Sequence, residues 1–520
     1  MPSSKDSPLF LGIDLGTSSC KVVLCEASGA LRARETASYP LVVGPGGTVE
    51  QDPEAWWGAI VSATARAVRS SGADPARIAT AGCTGQWSGT VAVGKDGAPL
   101  RRAIIWMDTR GEPYIRALTA GFPGVSGYRI DKLARWLRKT GGAPAHSGKD
   151  SLAHILYLKH REPEVYRATS FFLEPKDYLN YRLTGEIAAS WDNVAVTWVT
   201  DNRDASHVSY DEALFRLATL DRAKFPPLKA ATAVVGPVSG KAARELGVPE
   251  GLPVVAGAGD MQASLIGAGC TRPGQHHLYL GTSSWLTAHV PFKKTDIFHN
   301  IASLPSALPG LYSIIATQES AGSSLAFVRD LLFGTGPSSP PFEELDRMAA
   351  QSEPGSGGVL FTPWLYGERA PVEDRHLRAT FFNLGLASGR PQLLRAVMEG
   401  VAYNNRWILD PVEKLGGRRA DPVRIGGGGA SSTLWSQIIS DVLGRTVETV
   451  EDAAHATARG AALLGAIGGR FCSPESIARD IRVQARFAPN RINVAVYDRL
   501  YESFLRFHSA NVALHRRLNA

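Results

Sequence analysis

Cysteine is scarce in this 520-residue chain, and the five present, at positions 20, 25, 83, 270 and 472, form no C-x-x-C pair and no Cys/His ligand spacing. That excludes a disulfide framework and a structural zinc site, and it fits a reducing, cytoplasmic location. Long apolar runs are missing too. No stretch approaches the roughly 20 residues of a membrane-spanning helix, and residues 1–7 are polar, so neither a signal peptide nor a membrane span is expected. Blocks of like charge are absent as well: 56 Lys and Arg against 49 Asp and Glu leave a formal charge of +7, but the basic residues are scattered. A nucleic-acid partner is therefore not implied.

What is present begins with bulk. An apolar fraction of 44% over 520 residues supports large cores and exceeds one ordinary domain, so two domains are expected, 1–250 and 251–520. The pentapeptide Leu-Gly-Thr-Ser-Ser then occurs twice, at Leu15 to Ser19 and at Leu280 to Ser284, each time after an apolar run that reads as a strand. One copy alone would pass as a hairpin turn. Two copies indicate duplication, with Gly16 and Gly281 expected at positive φ and Thr17, Ser18 and Thr282 offering hydroxyls and N–H groups to phosphate oxygens from both sides of a cleft.

The spacing predicts a β-meander from residue 9 to 39, then a helix opened by the cap Asp52-Pro53-Glu54. A strand from 78 runs into Gly85-Gln86-Trp87-Ser88-Gly89. Residues 133–183 read as a helical insertion, residues 240–246 as one further helix, and a strand from 252 as the start of a second sheet that repeats the first.

Four places carry chemistry. Asp14, at a strand end beside the first loop, suits Mg²⁺ or its water shell. Asp260, after Gly257-Ala258-Gly259, is placed to orient and deprotonate an attacking hydroxyl, although a helix N-cap would also explain it. Gly426 to Gly429 lead into a helix over 432–443, leaving bare backbone and a positive helix end for a nucleotide; a plain strand-to-helix turn reads the same way. Gln86, Trp87 and Ser88, with Asp108 and Arg110 downstream, combine an indole with hydrogen-bonding groups, which suits a sugar; Trp87 as a packing residue is equally compatible.

Taken together, Gly12-Ile-Asp-Leu-Gly-Thr-Ser, Trp106 with Asp108 and Arg110, Pro175-Lys-Asp-Tyr-Leu, Ala256 to Asp260, the second Leu-Gly-Thr-Ser, Gly367-Glu-Arg-Ala-Pro and Gly426 to Ser431 resemble the FGGY carbohydrate kinases over nearly the whole chain. The resemblance implies an α/β fold of two ribonuclease-H-like domains, of the actin and sugar-kinase superfamily, with a cleft between them. It implies ATP and Mg²⁺ as cofactors and a small-molecule sugar as substrate, and it is compatible with a homodimer. Carried over residue by residue, Asp260 is the catalytic aspartate and Asp14 the magnesium-associated one. The nucleotide site takes in Gly16, Thr17, Ser18, Gly281, Thr282, Gly322, Gly428, Gly429 and Thr433, and the sugar site Gln86, Trp87, Ser88, Asp108, Arg110 and Asp260. Within the family the xylulokinases look most alike, which implies phosphorylation of D-xylulose to xylulose 5-phosphate. One departure bears on that: xylulokinases carry Gln-Met-His-Gly at the sugar loop, where this chain has Gln86-Trp87-Ser88-Gly89. Ribulose, a fructose-like sugar, glycerol or erythritol stay open as substrates, as does a superfamily ATPase switch without sugar phosphorylation.

Overall fold

The strand Leu9–Leu15 is buried along its whole length because it lies between neighbours in a sheet covered on both faces. The computed structural model describes residues 7–336 and 338–519; the polar start of the chain lies, but for Ser7, outside them. Leu9–Leu15 pairs antiparallel with Ser19–Cys25, which pairs antiparallel with Leu31–Ser38, the expected meander. On its other side it pairs parallel with Ile78–Gly85. The helix Pro53–Ser71 covers this sheet and starts as expected, with the Asp52 carboxylate accepting the Glu54 N–H.

The second sheet repeats this arrangement. His276–Leu280 runs antiparallel to Ser284–Val290, which runs antiparallel to Tyr312–Gln318, and it runs parallel to Val423–Gly426, which is parallel in turn to Val447–Val450. Each sheet thus has a ribonuclease-H-like centre, and each Leu-Gly-Thr-Ser-Ser segment is the hairpin joining its first two strands. Separate apolar clusters underlie the first sheet, the second sheet and the helical insertion.

Two expectations need correction. Strand Pro253–Gly259 does not open the second sheet: it pairs parallel with Ile78–Gly85 and closes the parallel side of the first. The chain therefore crosses between sheets after Gly259 rather than near residue 250, through the helix Asp260–Gly267. The insertion is also not wholly helical. Helices Ile130–Thr140, Ser151–Arg161, Pro163–Ala168 and Pro175–Thr184 are interrupted by the strand Phe171–Leu173, which pairs with Val91–Val93 just past the sugar loop.

The helix Ala456–Gly468 lies against both Asp260–Gly267 and the first sheet, and small residues set that contact. A Cβ at Gly267 would run into the Ala456 carbonyl, one at Gly460 into that of Ala263, and one at Gly12 into that of Ala458. Among the described residues no helix is long and apolar enough to cross a membrane.

Candidate active site

The two hairpins differ from expectation in one respect: neither Gly16 nor Gly281 lies in the left-handed region. Each turn is closed by a backbone bond, Gly16 N–H to Ser19 O at 3.1 Å and Gly281 N–H to Ser283 O at 2.9 Å, which needs no positive φ. Glycine is required by crowding instead. A side chain at Gly281 would enter the ring of Tyr279, which is stacked on Trp285 at 3.9 Å between centroids.

Around the second hairpin the expected nucleotide residues converge. Gly322 N–H donates to Gly281 O at 2.8 Å, and Ser323 donates to Thr282 O through its N–H at 3.1 Å and its hydroxyl at 2.9 Å. Gly429 packs on the Leu280 side chain, whereas a Cβ at Gly428 would meet open space. The Gly428–Ser431 turn leads to the helix Thr433–Leu443, whose first residue, Thr433, is exposed. The hairpin turn, its hydroxyls, side-chain-free backbone at Gly428 and a helix N-terminus gathered at one strand end would suit an anion.

In the first sheet, Asp14 lies at the end of Leu9–Leu15 and Asp260 directly follows Pro253–Gly259. Burial pushes the Asp14 carboxyl up to about 6, against the pull of Lys21. Burial, with the Asp14 charge added, pushes Asp260 up to about 7. Asp260 is the first residue of its helix and Gly259 the N-cap, so the N-cap reading of Asp260 does not hold; its Oδ1 accepts the Met261 N–H at 2.9 Å. A carboxylate poised near neutrality at a helix N-terminus suits a general base. Two buried carboxyls, the charge of one raising the pKa of the other, are also a donor set that a divalent cation fits. Among the described residues no group of three or more His, Cys, Asp and Glu forms a cage, so phosphate and water oxygens would complete the shell of an ion held there.

The sugar loop is tied to the first hairpin. Gln86 N–H donates to Leu15 O at 2.8 Å and its Nε2 to Gln51 Oε1 at 2.7 Å, while Gln51 Nε2 donates to Thr17 O at 2.6 Å. Ser88 holds φ at 61°, a left-handed conformation uncommon for serine, which marks the loop as constrained. Trp87 is only 6% exposed; its indole N–H donates to Asn193 O at 2.8 Å and its ring lies against Gly259. The structure thus brings Trp87 beside the residue preceding Asp260 and leaves it little surface for stacking on a sugar.

Asp108 and Arg110 are spent largely on each other. Asp108 accepts the N–H groups of Val49 and Arg110, both at 2.9 Å, and the Arg110 guanidinium, which also binds Glu50 at 2.6 Å and lies 4.5 Å over Tyr157. They brace the loop that carries Trp106. That indole went unassigned in sequence, yet it is half-buried, donates to Thr17 Oγ1 at 3.0 Å, and has Lys149 Nζ at 5.8 Å and the Arg369 guanidinium at 5.9 Å from its ring centre. Glu319 bridges the two cations, at 3.2 and 2.7 Å; against the upward push of burial, Arg369 and Lys149 hold its carboxyl down to about 2. Lys149 comes from the insertion and Glu319 follows the second sheet's strand Tyr312–Gln318, so this cluster bridges the two halves. Arg369 stood in a motif visible in the sequence; nothing local marked Lys149 or Glu319.

Two sheets with a ribonuclease-H-like centre, each carrying the same hairpin, and a near-neutral carboxyl at the end of a first-sheet strand suit a phosphotransferase of the actin and sugar-kinase architecture. The family model for the N-terminal domain of the FGGY carbohydrate kinases matches residues 9–267 and that for the C-terminal domain residues 277–469, so the chain belongs to this family. It is a sugar kinase, and ATP is the phosphoryl donor the family implies. Among curated relatives it is 30% identical to a xylulose kinase of Bacillus subtilis over 505 residues, covering 95% of each chain. It is 25% identical to a gluconokinase of the same organism, covering 95% of this chain and 94% of the relative. The solved xylulose kinase of Rhodospirillum rubrum superposes with a TM-score of 0.80 at 26% identity, covering 98% of this chain and all of the other.

Proposed function

We propose that this enzyme transfers the γ-phosphoryl group of ATP to a hydroxyl of a ketopentose, D-xylulose foremost. The observation that carries the reading is Asp260: a strand-end carboxyl at a helix N-terminus, raised to about 7, beside Asp14 and the sugar loop. In the proposed step Asp260 accepts the proton of the attacking hydroxyl as its oxygen bonds to the γ-phosphorus, and ADP leaves. The hairpin groups at Gly16, Thr17, Ser18, Gly281 and Thr282 receive the phosphates; Gly322, Gly428, Gly429 and Thr433 border the nucleoside. Mg²⁺ bound near Asp14 would offset charge on the phosphates. On the sugar side Ser88 and the half-buried indole of Trp106 face the substrate, with Gln86, Trp87, Asp108 and Arg110 shaping the pocket from behind.

Relatives named for xylulose support the ketopentose, and the Trp87-Ser88 pair keeps other ketoses, polyols and the aldonate gluconate in the comparison. A coupled ADP-release assay with D-xylulose, D-ribulose, D-fructose, gluconate, glycerol and erythritol tests the reading. The highest kcat/KM is expected for D-xylulose. ADP release indifferent to every sugar would reject it.

A further inference from the structure

The strand that delivers Asp260 is irregular just before it does so. Between Val255 and Ala258 the parallel pairing with Ile78–Gly85 slips, and Gly257 adopts φ of 69°. Such a bulge frees backbone groups from the ladder and re-aims the residues after it. Here the freed groups are taken up by side chains beneath the sugar loop. The Ala256 carbonyl accepts from Lys176 Nζ and Asn180 Nδ2, both at 2.7 Å, and the Gly259 N–H donates to Asp192 Oδ2 at 3.0 Å. Lys176 is fully buried and paired with Asp177, which accepts from Asn193 Nδ2 at 3.2 Å. Asn193 in turn holds the Trp87 indole through its carbonyl.

Asp192 is completely buried, and its other oxygen, Oδ1, has no hydrogen-bond partner. A buried carboxylate with one unsatisfied oxygen costs stability. Ser190, the N-cap of the short helix Trp191–Val194, and the Lys176 charge offset part of that cost, and the carboxylate's bond to the backbone goes to the residue before the base. Next to it, Asn193 joins the same short helix to the sugar loop. Catalytic geometry tolerates little displacement, since a shift of about 1 Å can cost on the order of 100-fold in rate.

We propose that Asp192 is a positioning residue for Asp260: by anchoring the Gly259 N–H it fixes the bulged strand end, and through Asn193 and Trp87 it sets the base in register with the sugar loop. This rests on the reading of Asp260 as the base.

The test is a pair of double-mutant cycles on the full-length enzyme, with kcat, KM for ATP, sugar affinity by calorimetry and melting temperature measured for each variant. Asp192→Ala should lower kcat at least about tenfold with KM for ATP unchanged, and Asp192→Asn, which still offers an oxygen to Gly259, should recover most of that. In an Asp260→Asn background the Asp192→Ala effect on residual turnover should vanish. Trp87→Phe, which removes the indole N–H bond to Asn193 O together with one ring of the indole, should lower kcat several-fold and likewise lose its effect in the Asp260→Asn background, a loss of effect that packing damage alone would not produce; it carries the test if Asp192→Ala does not fold. Wild-type kcat in Asp192→Ala, or in Trp87→Phe when the alanine variant does not fold, would overturn the proposal. So would losses of equal size with and without Asp260. Wild-type turnover in Asp260→Asn alone would instead overturn the base, a separate result.

Discussion

Replacing Asp260 with asparagine separates catalysis from stability in one variant. The carboxyl sits at about 7 in the folded chain against 3.8 for an ordinary aspartate. A group whose folded pKa is raised stabilises the fold fully below its unfolded pKa, and that contribution is lost as pH rises through the folded value. The difference is about 3 units, and at about 1.4 kcal/mol per unit the ligand-free wild type carries a penalty of up to about 4 kcal/mol above pH 7. Asparagine does not ionise, so Asp260→Asn should melt higher than wild type, by a margin that grows from about pH 4 to about pH 7 and then levels. Over the same range sugar-dependent turnover should fall by about 10²- to 10⁴-fold, equivalent to about 3–5 kcal/mol of transition-state stabilisation. In wild type, kcat/KM should drop as pH falls below about 7, as the base takes up a proton. Calorimetric melting from pH 5 to 8, with ADP release at each pH, measures both. Near-wild-type turnover, or a melting difference that ignores pH, would refute the reasoning.

Gly428→Val should fold normally and bind ATP more weakly by calorimetry, since its side chain would enter open space at the expected nucleotide edge, whereas Gly281→Val should also lower the melting temperature because it collides with Tyr279; unchanged ATP affinity in folded Gly428→Val would return that turn to a structural role. Trp87→Ala should cost about 3–5 kcal/mol in chemical denaturation, as for a buried aromatic, and a variant with wild-type stability would contradict its packing. Ser88→His should shift the preference among sugars in the substrate panel, because the loop faces the cleft; an unchanged ranking would place specificity elsewhere.

Much of this was legible from particular residues. The repeated Leu-Gly-Thr-Ser-Ser announced two hairpins of one design, and both sheets carry them at the same place. Asp52-Pro53 started its helix as local capping chemistry dictates, and the helix Gly240–Leu246 lies where its pattern put it. The strand before Asp260 was found, but not its sheet: parallel pairing with a strand far earlier in the chain leaves no local trace. Trp87 could not be told from a sugar platform because the partners that bury it, Asn193 and Gly259, come from distant segments. Lys149 and Glu319 escaped notice for the same reason, being ordinary charged residues until the fold places them beside Trp106.

The central claim is a phosphoryl transfer that needs both a sugar and Asp260. The most direct measurement is ³¹P NMR of ATP incubated with D-xylulose and either wild-type enzyme or Asp260→Asn. The account predicts a sugar phosphomonoester and ADP in equal amounts with wild type and almost none with the variant. Inorganic phosphate in place of the ester, or equal ester formation by the variant, would contradict it.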